Sequence, residues 1–162
     1  SVHEDEIIIV EGLHALNPII TKELPSDRLF KIYINVSSRI YDNGKEIVLN
    51  KRNMRFVRRL VRDYNFRGNS VERTFQMWLT VRYGEDTYLF PYRHNADIKI
   101  NTIHLYETCI LKDTAIKLLA EVEKDSAFYK ESQRLIRNLE RFPSLDKSYI
   151  PENSLLREFV KF

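Results

Sequence analysis

The chain has 162 residues, of which 43% are apolar, 12% are aromatic and 30% are charged. This length suits one domain, and the apolar and aromatic content excludes general disorder. No apolar run approaches the roughly 18 residues of a transmembrane helix, and the acidic residues 1–6 are unlike a signal peptide. The one cysteine, Cys109, has no partner for an intramolecular disulfide, no Cys/His spacing resembles a zinc site, and we expect a cytoplasmic protein.

The first third of the chain predicts strands and turns. Residues 7–10 are a continuous β-branched run, which is typical of a parallel strand covered on both faces. Residues 13–24 predict a short helix or turn, and residues 29–36 predict a second strand. Residues 37–50 predict a loop with a turn at residues 42–44.

Residues 51–66 form the clearest predicted helix, and they carry the charge of the chain. Residues 51–73 hold eight basic and two acidic side chains, a net charge of +6, whereas the remaining residues hold 18 basic and 21 acidic ones. At 100° per residue, the basic side chains of the helix fall within an arc of roughly 80°, opposite an apolar side. The members of this arc are Arg52, Arg55, Arg59 and Arg62. A local basic face predicts an anionic partner.

The remaining elements alternate between helix and strand. A helix begins at Ser70, residues 84–91 predict a connector, and residues 96–101 predict a third strand. The last predicted helices span residues 113–122, 126–142 and, after Asn153 as N-cap, 155–159. Strands separated by helices predict an α/β fold with a parallel sheet. Because three strands make a small sheet for that class, we expect the chain to be part of a longer protein.

Glu11 follows the predicted strand at residues 7–10. Ligands of open α/β sheets bind beyond the carboxyl ends of the strands, so this carboxylate is placed to hold Mg²⁺ directly or through water. The alternative is that Glu11 caps the following helix.

Three hypotheses account for the arginines of the predicted helix. Guanidinium groups along one face could clamp a polyphosphate and stabilise the charge of a transferring phosphoryl group. The face could instead be solvated, with Asp63 and Glu72 as its partners. RNA binding is the third hypothesis, since Tyr64, Phe66 and Trp78 are nearby, although helical spacing predicts that Tyr64 points into the core.

A phosphate-cradling loop of the form G-x-x-x-x-G-K-[ST] is absent from the sequence. The one Gly-Lys pair, Gly44-Lys45, is followed by Glu46, and Arg39 stands where the first glycine is needed.

Five motifs together resemble the uridine kinase/phosphoribulokinase family of P-loop kinases. They are IIIVEGLHALNP (7–18), RFVRRLVRDYNFRG (55–68), VERTFQMW (71–78), VRYGEDTYLFPY (81–92) and ADIKIN (96–101). The likeness is greatest to the bacterial uridine-kinase-like branch with an N-terminal TGS-type domain, whose end the tail IPENSLLREFV (150–160) also resembles.

The resemblance implies a nucleoside-monophosphate-kinase-like fold and transfer of the γ-phosphate from ATP to a nucleoside hydroxyl, with uridine or cytidine as the usual substrate. It places Glu11 near Mg²⁺, Arg59 at the substrate side, and Arg62 and Arg67 in a mobile lid over the ATP phosphates. In the family the P-loop and the catalytic aspartate lie upstream of these motifs, so we expect this chain to be inactive alone.

The expected organisation is the C-terminal part of a kinase core at residues 1–112, with the lid at about 51–70, and a helical extension at residues 113–162. The expected partners are a nucleotide and a small hydroxyl acceptor, with no membrane and no nucleic acid, and with a possible homo-oligomer. A degenerate kinase fold that binds or regulates without turnover is the main alternative.

Overall fold

The computed structural model describes His3 and residues 6–162. The chain divides into two compact units, residues 1–34 with 80–100 and residues 35–79 with 101–162. In chain order the elements are α1 (Pro18–Thr21), β1 (Ile32–Asn35), β2 (Ile40–Asp42), β3 (Glu46–Leu49), α2 (Lys51–Arg67), α3 (Val71–Gly84), β4 (Ile98–Asn101), α4 (Glu107–Ala120) and α5 (Tyr129–Leu139). Across the residues that the structure describes, none of the helices has both the length and the apolar character that a membrane span needs.

Strands β1 and β4 form a small parallel sheet. Just before both strands the amide of Asp97 donates to the carbonyl of Lys31 at 2.9 Å, and at their other end the amide of Thr102 donates to the carbonyl of Asn35 at 3.1 Å. Because the bonded positions advance in the same direction on both strands, the pairing is parallel. The α/β class and the strands predicted at residues 29–36 and 96–101 are therefore confirmed.

The prediction of a strand at residues 7–10 is wrong. The run is extended chain without strand pairing, and the side chains of Ile7 and Ile9 are 90% and 88% exposed. β-Branched residues favour a strand only where a neighbouring backbone completes the ladder, and among the described residues this run has no such neighbour.

The connector predicted at residues 84–91 is also wrong, because helical structure continues through it. Gly84 has the right-handed helical φ of −60°, and α3 runs on into a π-helical turn, Glu85–Leu89, and a 3-10 helix, Phe90–Asn95. Pro91 falls in the first turn of that 3-10 helix, where its missing N–H costs nothing.

The loop predicted at residues 37–50 is in part a β-hairpin. β2 and β3 pair antiparallel around the predicted turn, where Asn43 and Gly44 both have positive φ, 47° and 71°. Asn-Gly tolerates this backbone better than other residue pairs, which is why the turn was visible in the sequence and the short strands were not.

Helices α2, α4 and α5 supply most of the core of the second unit. Its apolar side chains that are at most 1% exposed include Val57, Leu60, Leu111, Leu118, Leu119, Leu135 and Leu139. The predicted helices are present with shifted ends: α4 begins at Glu107, α5 is shorter than predicted, and the last one is a 3-10 turn, Leu155–Glu158, capped by Ser154 instead of Asn153.

Candidate functional site: an arginine cluster at the end of helix α2

Helix α2 is defined at both ends by its own sequence. The side chain of Asn50 accepts hydrogen bonds from the amides of Arg52 and Asn53. The side chain of Asn53 in turn accepts a hydrogen bond from the amide of Asn50. At the other end Gly68 adopts φ 64°, a left-handed conformation that favours glycine, and its amide donates to the carbonyl of Asp63. The helix predicted at residues 51–66 is confirmed, with its last residue at Arg67.

Three arginines converge on one carboxylate near this C-terminal end. Asp63 is fully buried, and its carboxylate lies 3.1 Å from Arg59 Nε, 3.1 Å from Arg62 Nη2 and 3.3 Å from Arg67 Nη1. We call Arg59, Arg62, Arg67 and Asp63 the arginine cluster. One negative charge against three positive ones leaves this cluster with an excess of two positive charges.

The cluster is partly open to solvent. The side chains of Arg59, Arg62 and Arg67 are 15%, 28% and 50% exposed. Burial lowers the pKa of Arg59, Asp63 opposes that shift, and the positive charges of the neighbouring arginines add to it. A buried guanidinium among like charges gains from a second anion, since Asp63 can offset only one of the three charges.

Two buried atoms of the cluster make no hydrogen bond. Arg59 Nε and Asp63 Oδ2 are at ion-pair distance, but neither has an aligned hydrogen-bond partner. Arg59 Nε faces Asp63 and is closed to solvent, so phosphate oxygens would be bound by the more exposed guanidinium groups of Arg62 and Arg67. The residues present therefore fit the phosphates of a nucleotide.

The other basic side chains of α2 lie elsewhere. Arg58 is buried and binds Glu107, and Arg55 stacks over the ring of Trp78 at 5.7 Å. Arg52 and Lys51 line a pocket at the first turn of the helix. The predicted arc is thus divided: only Arg59 and Arg62 of its four members join the cluster.

The prediction that Tyr64 points into the core is wrong. Phe56 and Leu60 are buried as predicted, but Tyr64 and the neighbouring Phe66 are 47% and 51% exposed. Both lie in the last turns of the helix, where the apolar core of the second unit no longer covers that side.

Glu11 lies in the first unit, where it is exposed and follows the extended residues 7–10. In the described part of the chain no three His, Cys, Asp or Glu side chains lie together as metal ligands. One exposed carboxylate is not a metal site of its own, although Mg²⁺ is commonly held by one or two carboxylates with substrate phosphates. Its role as a magnesium ligand stays a prediction.

Asp63 has a larger part in the site than the sequence pattern indicates. The pattern predicts only that Asp63 is a partner of arginines on a solvated face. The useful signal was its spacing, because Asp63 stands four residues after Arg59 and four before Arg67, so that all three share one helix face.

Comparison with known proteins gives one family. Residues 1–108 match the model of the phosphoribulokinase/uridine kinase family. No curated protein and no solved structure matches the chain.

Proposed function

Because the chain belongs to the phosphoribulokinase/uridine kinase family, we propose that it works in ATP-dependent phosphoryl transfer to a nucleoside hydroxyl, with a uridine-like acceptor. The observation that carries the proposal is the arginine cluster, with its excess positive charge and the partly exposed guanidinium groups of Arg62 and Arg67. The five motifs taken together, and the tail at residues 150–160, are the basis for proposing a place in the bacterial uridine-kinase-like branch with a TGS-type domain.

Each arginine of the cluster has a proposed task. Arg62 and Arg67 are the more exposed of the three and would contact the phosphates of ATP, while the more buried Arg59 would face the acceptor. Asp63 would keep the guanidinium groups oriented before the nucleotide arrives, so that little side-chain entropy is lost on binding. Phosphoryl transfer depends mainly on such positioning and charge stabilisation.

ATP with Mg²⁺ is the cofactor that this role implies. Bound Mg²⁺ would neutralise phosphate charge, and Glu11 is the residue proposed to lie next to it. The arginine cluster can bind an anion without the metal, whereas Glu11 would need the nucleotide phosphates to complete a metal site.

We propose that this chain does not turn over by itself. Phosphoryl transfer also needs a loop that cradles the β-phosphate and a base for the acceptor hydroxyl. The sequence has no motif for that loop, and the described arginines can hold phosphates but cannot accept a proton.

Calorimetric titration with ATP·Mg²⁺ and with inorganic tripolyphosphate tests the arginine cluster. We expect weak, saturable binding of both, reduced roughly tenfold or more in the double variant Arg62→Gln/Arg67→Gln, because a hydrogen bond to a charged group contributes about 1.5–3 kcal/mol. The matched control is Arg73→Gln/Arg137→Gln, which removes the same charge from exposed positions outside the cluster. Equal loss of affinity in both double variants would refute a specific phosphate site.

A phosphorylation assay with ATP·Mg²⁺ and uridine tests the claim about turnover. We expect no uridine monophosphate from this chain. Product formation that is lost in Arg62→Gln/Arg67→Gln would show a complete catalytic site and would overturn that claim. Phosphate binding without product from a full-length protein would instead favour the regulatory, non-catalytic alternative.

RNA binding is a second candidate because the structure exposes Tyr64 and Phe66 beside the arginine cluster. Exposed aromatic rings next to guanidinium groups can stack on unpaired bases. Single-stranded RNA affinity that falls steeply with salt and is lost in Tyr64→Ala/Phe66→Ala would support it. If the RNA affinity is the same in that variant as in the unmodified chain, the aromatic residues have no such role.

A further inference from the structure

The tail at residues 150–160 is a fixed part of the second unit. The side chains of Ile150 and Leu156 are 2% and 0% exposed, and Phe159 is also buried. The amide of Phe159 donates to the carbonyl of Leu156 at 3.0 Å, and Arg157 Nη2 donates to the carbonyl of Ile150 at 3.1 Å. Because these bonds and the buried side chains hold the tail in one place, it can anchor an element that packs beside it.

Phe159 of the tail contacts helix α2 at two places. Its carbonyl accepts a hydrogen bond from Asn65 Nδ2 at 2.8 Å, and the centroid of its ring lies 5.5 Å from Arg58 Cζ. Asn65 and Arg58 are seven positions apart, which is nearly two helical turns, so they share one side of the helix. Arg62 stands between them, four positions after Arg58 and three before Asn65. Phe159 therefore holds the part of α2 that carries Arg62 on both sides of that residue.

The hydrogen bond from Asn65 suits both of the elements that it joins. Phe159 is the C-terminal cap of the 3-10 turn Leu155–Glu158, and carbonyls at the end of a helical turn need a donor from outside it. Asn65 lies in the last turns of α2, where helices open most readily. Its neighbours Tyr64 and Phe66 are 47% and 51% exposed, so the core covers this end of the helix only in part. The bond to Phe159 is therefore a tertiary tie at the end of α2 that carries the arginine cluster.

We propose that Asn65 is a positioning residue for the arginine cluster, and that docking of the tail through Asn65 strengthens phosphate binding there. The inference rests on the phosphate site of the proposed function. Arg67 lies two positions beyond Asn65 and is 50% exposed, and the like charges of the cluster favour moving its arginines apart. A fixed last turn keeps them around Asp63, so that less conformational entropy is lost when a phosphate binds. Docking of the tail and binding of phosphate then favour each other, because such coupling is reciprocal.

Calorimetric titration of Asn65→Leu with inorganic tripolyphosphate tests the proposal, since leucine removes the donor and keeps about the same size. We expect binding to weaken roughly fivefold, with a less favourable entropy of binding. The matched control is Asn138→Leu, because Asn138 Nδ2 also donates to a backbone carbonyl of this unit, that of Val48, at 2.8 Å. Urea denaturation should show similar losses of stability in both variants, whereas only Asn65→Leu should change the affinity.

Amide hydrogen exchange in the unmodified chain gives a second test, which holds even if Asn65→Leu fails to fold. With tripolyphosphate bound, the amide of Phe159 should exchange more slowly, because an occupied cluster favours the docked tail. The amide of Glu140 is the matched control, since it donates to the carbonyl of Ile136 at 2.9 Å at the end of α5. Its exchange should slow less than that of Phe159.

The outcomes separate this inference from the phosphate site on which it rests. If tripolyphosphate binds the unmodified chain but Asn65→Leu leaves the affinity unchanged, or Asn138→Leu lowers it equally, the positioning role is overturned and the phosphate site stands. Equal slowing of exchange at Phe159 and Glu140 would also overturn the positioning role. If tripolyphosphate does not bind the unmodified chain, the phosphate site itself is refuted, and this inference with it.

Discussion

Replacing Glu107 by alanine should destabilise the second unit strongly, because it leaves the buried charge of Arg58 without its counter-ion. Glu107 is fully buried, and its carboxylate accepts from Arg58 Nε at 2.9 Å, from Arg58 Nη2 at 2.5 Å and from the amide of His104 at 2.8 Å. Arg58 would keep its bond to the carbonyl of Thr102 at 2.6 Å and its position over the ring of Phe159. These contacts hold the guanidinium in place and prevent its escape to water.

The expected loss in the free energy of unfolding is about 3–5 kcal/mol, the range for removing one partner of a buried ion pair. Urea denaturation followed by the fluorescence of Trp78 measures it, since this buried tryptophan belongs to the same unit. The double variant Arg58→Met/Glu107→Leu should recover most of the loss, because replacing both charges by apolar side chains is often neutral.

A loss below about 1 kcal/mol in Glu107→Ala would refute this reasoning, since that is the range of a solvated surface pair. The reasoning would also be refuted if the loss in the double variant equalled the sum of the losses in its two single variants, because residues in direct contact are expected to be coupled. Arg134→Ala, which breaks the exposed pair with Glu131, is the matched control and should cost at most about 1 kcal/mol.

Three further predictions concern the ends of helices and the cluster. Asp63→Asn should lower the free energy of unfolding by about 3 kcal/mol, because three arginines lose their shared counter-charge, and an unchanged urea midpoint would contradict this. Gly68→Ala should cost about 1 kcal/mol, because the φ of 64° strains any residue with a Cβ even though the added Cβ would meet no atom beyond its chain neighbours within 4 Å, and thermal unfolding would show the loss. The pKa of Asp146 is lowered by its hydrogen bonds to Ser148, so its stabilising contribution is present above the unfolded pKa of 3.8 and is lost as the pH falls through the lower folded value. The difference in melting temperature between the unmodified chain and Asp146→Ala should therefore shrink below about pH 3.8, and a difference that stays constant down to pH 2 would argue against it.

The local pattern of the sequence was sufficient for helix α2 and for the two strands of the parallel sheet. The spacing of apolar and basic side chains is a short-range signal, and it correctly predicted where the helix lies. The same spacing predicted a basic face on this helix, and its anionic partner stays a prediction. The family motifs at residues 7–101 were recognisable from the sequence, and the family match confirms the family they indicated.

Tertiary contacts determined which arginines belong to the arginine cluster. Arg58 and Arg59 are neighbours in the chain, yet Arg58 is bound by Glu107 from α4 while Arg59 joins Asp63 within α2. A carboxylate 49 residues away cannot be assigned from spacing to one of the seven arginines in residues 51–73, because its position depends on how α4 packs on α2. The exposed residues 7–10 show that β-propensity alone does not predict a strand. Propensity describes what a segment can form, and a strand exists only where the tertiary structure places a second strand beside it.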